Sequence, residues 1–350
     1  MILKQFAEIP IVKGYNRSCI YDLPRRNYDF IANDVVEKIT SLIDVEKSII
    51  MKTLDKEEKK WLKFLIEKEY FYFISKEFID CFPKIDFKWD SPSTISNVII
   101  DIGDASRLVD FSFLESFNCK HLLIRFYNIQ QLEEIIIFYQ NNLNYITLKS
   151  LEVILLNGEK FSISKLKQFI KTNPIEQIIN IRIGHLLGHG DYFFPKFKID
   201  INIFSESQDY NIYFNKKLYI DQNGNIKNGI ESSESFGNIN KNLSIKYLHN
   251  IVESQKFTEI NTISKDKIEV CKECEFRYKC IDNRIPKKRK DDSYFFDLEC
   301  SYNPYISKWK DEKDYVSLEN CGVKIDVEDV IVDVEKINNI NFQLWGAKNL

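Results

Sequence analysis

The sequence predicts an α/β protein made of three successive parts. Residues 1–80 contain short strand-like and helical stretches in an order typical of a small winged-helix unit. Residues 95–210 alternate apolar strands with helical stretches, which is typical of parallel βαβ units. Residues 211–350 form a cysteine-rich module that holds four of the eight cysteines between positions 271 and 300.

The composition narrows the class of protein. Hydrophobic residues make up 44% of the chain and aromatic residues 14%, which is typical of a globular protein. The formal net charge of −3 provides no electrostatic reason to expect nucleic acid as a partner. No run approaches the roughly 18 apolar residues of a membrane span, and the N-terminus has no signal-peptide pattern. We therefore expect a cytoplasmic protein with reduced thiols and no membrane partner.

The first part is predicted to begin with two strands and a helix. Residues 18–23 and 28–31 alternate like strands, and the PRRN turn at 24–27 joins them. Asn33 or Asp34 is expected to cap a helix, because the apolar residues that follow recur at helical spacing.

A second helix and a strand are predicted to complete this part. Asp55 is expected to begin the amphipathic helix, and residues 70–74 to form the strand. Residues 80–94 include two prolines and are predicted to be a linker.

The middle part is predicted to be an open or partial (β/α) sheet. Its strands are expected at 98–102, 121–127, 151–156, 178–183 and 198–204. Its helices are expected at 108–117, 130–139 and 164–171. About five strands are too few for a complete eight-stranded barrel.

The last part is predicted to begin with a hairpin at 213–226, with its turn at Asn223 and Gly224. A second turn at 235–238 and a helix from about 245 to 253 follow. The alternation of apolar residues in 323–334 predicts at least one more strand.

The cysteines Cys271, Cys274 and Cys280 have the spacing C-x2-C-x5-C, and Cys300 follows. A C-x2-C turn brings two thiolates toward one metal, and two further thiolates complete a tetrahedral site or a cubane site. The alternatives are two disulfides or a chance group of structural thiols. The spacing alone does not distinguish zinc from an iron–sulfur cluster.

Several motifs together resemble a SPASM domain, the cluster-binding extension of radical SAM peptide maturases. They are the LYIDQNGNI hairpin, the FGNI turn at 236–239 and the cysteine pattern. CEFRYKCIDNRIP and the N-terminal IPIVKGYNRSCIYDL are most similar to the maturases of grasp-with-spasm systems. The resemblance implies two partners, a ribosomal precursor peptide and an ATP-grasp ligase.

The chain departs from a full SPASM domain, which has seven cysteines and holds two [4Fe–4S] clusters. Asn228 and Arg284 stand where the resemblance implies ligands of the first cluster. Cys271, Cys274, Cys280 and Cys300 correspond to the ligands of the second. The resemblance therefore implies one [4Fe–4S] cluster, and zinc is the alternative.

The motif for radical SAM chemistry is missing from the sequence. That chemistry needs C-x3-C-x2-C after the first barrel strand, and this chain has GDASRLVDFSF there. Cys19, Cys81 and Cys119 are isolated and cannot form the triplet. We expect no SAM binding and identify no catalytic residue. Residues 95–210 are then expected to be a reduced, partial relative of the radical SAM barrel.

The first 80 residues resemble a RiPP recognition element, a winged-helix domain that binds leader peptides by β-augmentation. The expected edge is Cys19, Ile20, Tyr21 and Leu23, with apolar pockets near Val35, Ile39 and Leu65. The alternative is a structural wing that binds no ligand.

Three functions follow from these observations. The first is an accessory protein of peptide maturation that binds the precursor, carries one cluster and presents the peptide to a partner ligase. The second is a redox maturase whose cluster exchanges electrons with a bound peptide. The third is a zinc-stapled scaffold.

Overall fold

The computed structural model describes residues 1–102, 112–126, 147–155, 179–183, 193–242 and 244–346. The chain divides into two units. Unit 1 consists of Met1–Trp89, Gly190–Ile212 and Ile263–Leu350, and unit 2 consists of Asp90–His189 and Tyr213–Thr262. Both units combine strands with helices, so the predicted α/β class is confirmed.

The N-terminal part of unit 1 contains five strands and three helices. They are β1 (Ile2–Gln5), β2 (Ile11–Lys13), β3 (Arg17–Asp22), β4 (Asn27–Ala32), α1 (Asn33–Thr40), α2 (Lys47–Thr53), α3 (Lys56–Glu67) and β5 (Phe71–Ile74). β2, β3 and β4 form an antiparallel sheet with β3 in the middle, and β1 pairs with β5. The predicted strands at 18–23, 28–31 and 70–74 are confirmed.

The helices of this part pack on one face of the β2–β4 sheet. Ile20 of β3, Ile39 of α1 and Leu65 of α3 are buried in one apolar core. α3 begins as predicted, with Asp55 and Glu58 each accepting the other's backbone N–H. This capping box satisfies two of the N–H groups that a helix start leaves unpaired.

The middle of the chain supplies the sheet of unit 2. Its elements are β6 (Asn97–Ile102), α4 (Phe113–Ser116), β7 (His121–Phe126), β8 (Ser150–Leu155) and β9 (Ile179–Ile183), and two elements of unit 1 follow, β10 (Lys196–Phe197) and α5 (Ile201–Asp209). Unit 2 resumes with β11 (Lys217–Ile220), β12 (Asn225–Lys227), β13 (Gly237–Asn238), α6 (Ile245–Val252) and α7 (Gln255–Thr258).

The sheet of unit 2 has the strand order β13-β12-β11-β6-β7-β8-β9. β6 to β9 are parallel and β11 is parallel to β6, whereas β12 and β13 are antiparallel to their neighbours. The predicted open parallel sheet and the hairpin are both present, joined in one mixed sheet. The hairpin turns at Gly224, whose φ of +79° is readily adopted only without a side chain.

One predicted strand is wrong. Residues 198–204 were expected to be a strand, but the helix α5 occupies this region and Asp200 caps it by accepting from the N–H of Ile203. Short apolar runs do not distinguish a strand from a buried helix segment. The fifth parallel strand is β11, the first strand of the hairpin. The predicted helices at 130–139 and 164–171 lie outside the described residues.

The C-terminal part of unit 1 consists of short hairpins and helices. They are β14 (Cys280–Ile281), which pairs with β10, then β15 (Lys287–Lys288) with β16 (Tyr294–Phe295), β17 (Tyr302–Asn303) with β18 (Lys308–Trp309), α8 (Leu318–Cys321), β19 (Val323–Ile325) with β20 (Val330–Val332), and α9 (Val334–Trp345). No helix among the described residues is long and apolar enough to cross a membrane.

Candidate metal centre

Four cysteines line one small cavity in unit 1. Cys271 begins a short 3₁₀ turn that Cys274 follows, Cys280 begins β14, and Cys300 precedes β17. The cavity that all four line has a volume of about 30 Å³. The structure thus places the four cysteines that the sequence singled out around one cavity.

The backbone before the first cysteine is strained. Val270 has a φ of +66°, in a region that β-branched residues avoid because of steric clashes. Such a conformation costs about 1–3 kcal/mol and persists only where the surrounding structure imposes it. Val270 leads directly into the turn that carries Cys271 and Cys274.

Two backbone groups donate to the sulfur atoms. The N–H of Phe276 donates to Cys274 Sγ at 3.4 Å, and the N–H of Tyr302 donates to Cys300 Sγ at 3.5 Å. In each pair the donor follows the cysteine by two residues. Hydrogen bonds of this kind orient thiolates and tune the reduction potential of iron–sulfur clusters.

Two cations and one carboxylate are buried beside the cysteines. Lys265 and Arg284 both line the cavity, and both pair with Asp282, which Arg284 contacts at 2.6 Å. Burial opposes the ionisation of Asp282, but the two cations outweigh it and lower its pKa to about 2. The Asp282 carboxylate therefore neutralises only one of the two cations. The positive charge that remains favours the thiolate form of the four cysteines.

Burial raises the pKa of all four thiols, and that of Cys300 to about 11. Without a metal these groups would be neutral thiols at neutral pH. Metal binding to them must therefore expel protons, and affinity will fall as the pH falls.

The residue types of the donor set suit a thiolate-ligated metal group, but their spacing in this structure does not form one. The cavity is otherwise lined mainly by apolar side chains such as Phe197, Phe276 and Pro304. Sulfur donors suit both zinc and iron–sulfur clusters, so both fit these residues. Among the described residues, no three or more His, Cys, Asp or Glu side chains are grouped so that they could hold a metal ion.

The loop between Cys274 and Cys280 is bonded to the N-terminal sheet. The Glu275 carboxylate is fully buried and accepts from Arg17 Nε at 2.7 Å and from the Tyr302 hydroxyl at 2.5 Å. The Tyr21 hydroxyl donates to the backbone carbonyl of Glu275 at 2.8 Å. The contact is close enough that a Cβ at Gly14 would lie 2.8 Å from the backbone nitrogen of Glu275.

Aromatic rings extend this contact. The Phe276 ring lies 5.6 Å from Phe30 of β4, 4.9 Å from Phe197 and 4.8 Å from Tyr302, measured between ring centroids. Sequence reasoning did not identify Glu275 or Phe276. Their only signal was their position inside the C-x2-C-x5-C run.

The expected peptide-binding edge is wrong. β3 is the middle strand of its sheet, and Cys19, Ile20, Tyr21 and Leu23 are at most 4% exposed. β3 pairs on one side with β2, which the sequence analysis did not predict, and on the other side with β4. A peptide therefore cannot add to β3.

The expected pocket residues lie mostly in the core. Ile39 and Leu65 are each 1% exposed, and Val35 is partly buried against the same core. Of the three, only Val35 keeps appreciable exposure.

β4 instead has an outer edge with which no described strand pairs. It is an end strand of the sheet. The backbone groups of Arg17 and Tyr21 in β3 form hydrogen bonds on the β2 side. Because successive residues of a strand direct their backbone groups to opposite sides, the residue after each of them bonds to β4. By the same alternation, the backbone N–H and C=O groups of Tyr28 and Phe30 point away from β3. These groups can accept an added strand.

Arg284 and Asn228 stand where a full SPASM domain has cysteines, and the side chains of both form hydrogen bonds. Besides pairing with Asp282, Arg284 donates to the carbonyl of Leu298 at 2.5 Å. Asn228 is buried in unit 2 and donates to the carbonyl of Phe257 at 3.4 Å.

Comparison of the chain with models of known families, with curated proteins and with solved structures found no match.

Proposed function

We propose that this protein assists the maturation of a ribosomal peptide. It binds the precursor peptide through its N-terminal sheet, carries one [4Fe–4S] cluster on Cys271, Cys274, Cys280 and Cys300, and presents the peptide to an ATP-grasp ligase. The observation that carries the proposal is the convergence of these four cysteines on one cavity.

The N-terminal part supports the peptide-binding role. Three antiparallel strands followed by three helices support the proposal of a winged-helix RiPP recognition element, and no described strand pairs with the outer edge of β4. An extended leader peptide would pair with Tyr28 and Phe30. The ring of Phe30 contacts Phe276 between two of the cysteines, so the peptide would lie near the cluster-bearing loop.

The cluster is proposed to hold the C-terminal part of unit 1 in shape. Four thiolates leave no iron open to substrate, and such a cluster can supply only electron transfer. Since the loop at Glu275 is bonded to β3, holding the cysteines in place also supports the N-terminal sheet.

A second candidate is a redox maturase that exchanges electrons with a bound peptide. The observation in its favour is that Cys271 and Cys300 also line a larger cleft. A zinc-stapled scaffold, the third candidate, uses the same donors.

The test is to purify the protein without oxygen and measure iron, sulfide and zinc per chain. Equal iron and sulfide with an absorbance band in the visible range support the cluster. Zinc without sulfide or colour would remove both the cluster and electron transfer. Twice the iron of one cubane would mean that ligands other than these four cysteines exist.

A further inference from the structure

A cleft of about 590 Å³ lies beside the cysteine cavity in unit 1. We call it the acidic cleft; it is lined by 269–271, Arg284, 295–300, 318–319 and 323–327. Its volume is within the range typical of ligand sites. Cys271 and Cys300 line both the cleft and the cysteine cavity. A ligand in the cleft would therefore lie beside the proposed cluster.

One wall of the cleft is a strand with an open edge. Among the strands of the described residues, β19 pairs only with β20, and 323–327 line the cleft without a break. Backbone hydrogen bonds join Gly322 to Asp333 and Asp326 to Asp329, at the two ends of the β19–β20 pairing. Because hydrogen-bonded pairs alternate with non-bonded pairs in antiparallel strands, Lys324 and Ile331 form the hydrogen-bonded pair between them. The backbone groups of Ile325 therefore point away from β20. They offer one more strand a place to pair.

The side chains of the cleft favour a basic ligand. Five carboxylates line it, belonging to Glu269, Asp297, Glu299, Glu319 and Asp326. Two of these carboxylates are already paired, Glu269 with Lys272 and Asp297 with Lys287. Two cationic side chains line the cleft, Lys324 and Arg284, and Arg284 is paired with Asp282. Three carboxylates therefore remain against one cation. Apolar side chains such as Phe296, Leu298 and Val327 lie among the carboxylates. An extended chain with alternating basic and apolar side chains matches both features.

We propose that the acidic cleft binds an extended peptide segment with basic side chains, whose main chain pairs with the open edge of β19. The affinity comes from main-chain hydrogen bonds and the preference for basic residues from the carboxylates. We identify this segment as part of the precursor peptide, and this identification rests on the proposed function. The binding site itself does not.

The test uses fluorescence anisotropy with the full-length protein and a labelled octapeptide of alternating valine and lysine. Two peptides serve as matched probes: one with glutamate in place of lysine, and one N-methylated at every peptide bond. Each should bind at least about tenfold more weakly than the valine–lysine peptide, because one has the wrong charge and the other cannot pair as a strand. Higher salt should weaken binding of the valine–lysine peptide.

Two proline variants test the site. Ile325→Pro removes an N–H from the open edge without removing a β19–β20 hydrogen bond, and should weaken binding about tenfold. Val332→Pro makes the same change on the opposite edge of the hairpin and should leave binding unchanged. Glu319→Gln should weaken binding, whereas Glu328→Gln, outside the cleft, should not.

The proposal is overturned if the N-methylated peptide binds as well as its parent, or if Ile325→Pro binds like the unchanged protein. The peptide-side probe keeps the test valid even where a proline variant fails to fold. Peptide binding by a protein that contains no iron would refute the proposed cluster and support the peptide site in the acidic cleft. A protein with a full cluster that binds none of the peptides would support the cluster and refute the peptide site in the acidic cleft.

Discussion

The hydroxyl of Tyr21 donates a hydrogen bond to the backbone carbonyl of Glu275, which lies 254 positions further along the chain. Tyr21 belongs to β3 of the N-terminal sheet, and Glu275 directly follows Cys274. Both residues are fully buried. The contact makes the fold of the N-terminal sheet and the position of the cysteine loop depend on each other.

Tyr21→Phe should lower the free energy of unfolding of unit 1 by about 1–3 kcal/mol, because it leaves a buried carbonyl without its donor. It should also speed the loss of metal to a chelator. Urea unfolding and chelator kinetics measure the two effects. Tyr72→Phe, at a partly exposed side chain of β5, should stay within about 0.5 kcal/mol of the unchanged protein. Equal effects of the two variants would refute the coupling.

Cys274→Ala should abolish binding of the metal group and make the protein poorly soluble, since the energy of metal binding at such a site is also folding energy. Metal analysis and gel filtration are the measurements. Cys81→Ala removes an exposed cysteine outside the cavity and should leave metal content unchanged. If Cys274→Ala keeps its metal and solubility, the assignment of the four ligands is wrong.

Hydrogen exchange should reveal the open edge of β4. The amides of Asp29 and Ile31 face β3 and should exchange slowly, whereas those of Tyr28 and Phe30 should exchange faster. Addition of the leader peptide should protect Tyr28 and Phe30 selectively. Residue-resolved exchange by NMR makes this measurement. Protection of all four amides before any peptide is added would show that the edge is already covered.

Cys119 should make stability depend on pH in the alkaline range. Burial raises the pKa of this thiol to about 12, whereas the pKa in the unfolded chain is about 8.5. Above pH of about 8.5 the unfolded chain loses the proton first, so the stability present at lower pH declines as the pH rises toward 12.

Cys119→Ser keeps a small hydrogen-bond donor that does not titrate in this range. Between neutral pH and pH of about 10, the unchanged protein should lose about 2 kcal/mol more than this variant. Urea unfolding under reducing conditions at both pH values provides the comparison. Cys81→Ser, at an exposed position, should follow the unchanged protein. Parallel curves for Cys119→Ser and the unchanged protein would contradict the expected shift.

Local patterns in the sequence were enough for most of the elements. The apolar strands β6 to β9 and the helix that begins after Asp55 were predicted close to where they occur. The Asn223–Gly224 turn was also predicted, because a hairpin turn has a short-range signature. The same holds for the four cysteines, whose spacing identified them as a group.

The tertiary structure decided what each element contacts. β3 was expected to be an open edge, but the short strand β2 pairs with it, and the open edge belongs to β4. The predicted strand at 198–204 became the helix α5, since its apolar residues fit either period.

The sequence by itself determined most strands of the parallel sheet, the start of α3 and the four sulfur donors, because these depend on neighbours a few residues apart. Only the tertiary structure showed that Glu275 bonds to Tyr21 and that β19 borders a cleft beside Cys271 and Cys300. Such contacts join residues far apart in the chain. Local periodicity carries no information about them, since they depend on how all the segments pack together.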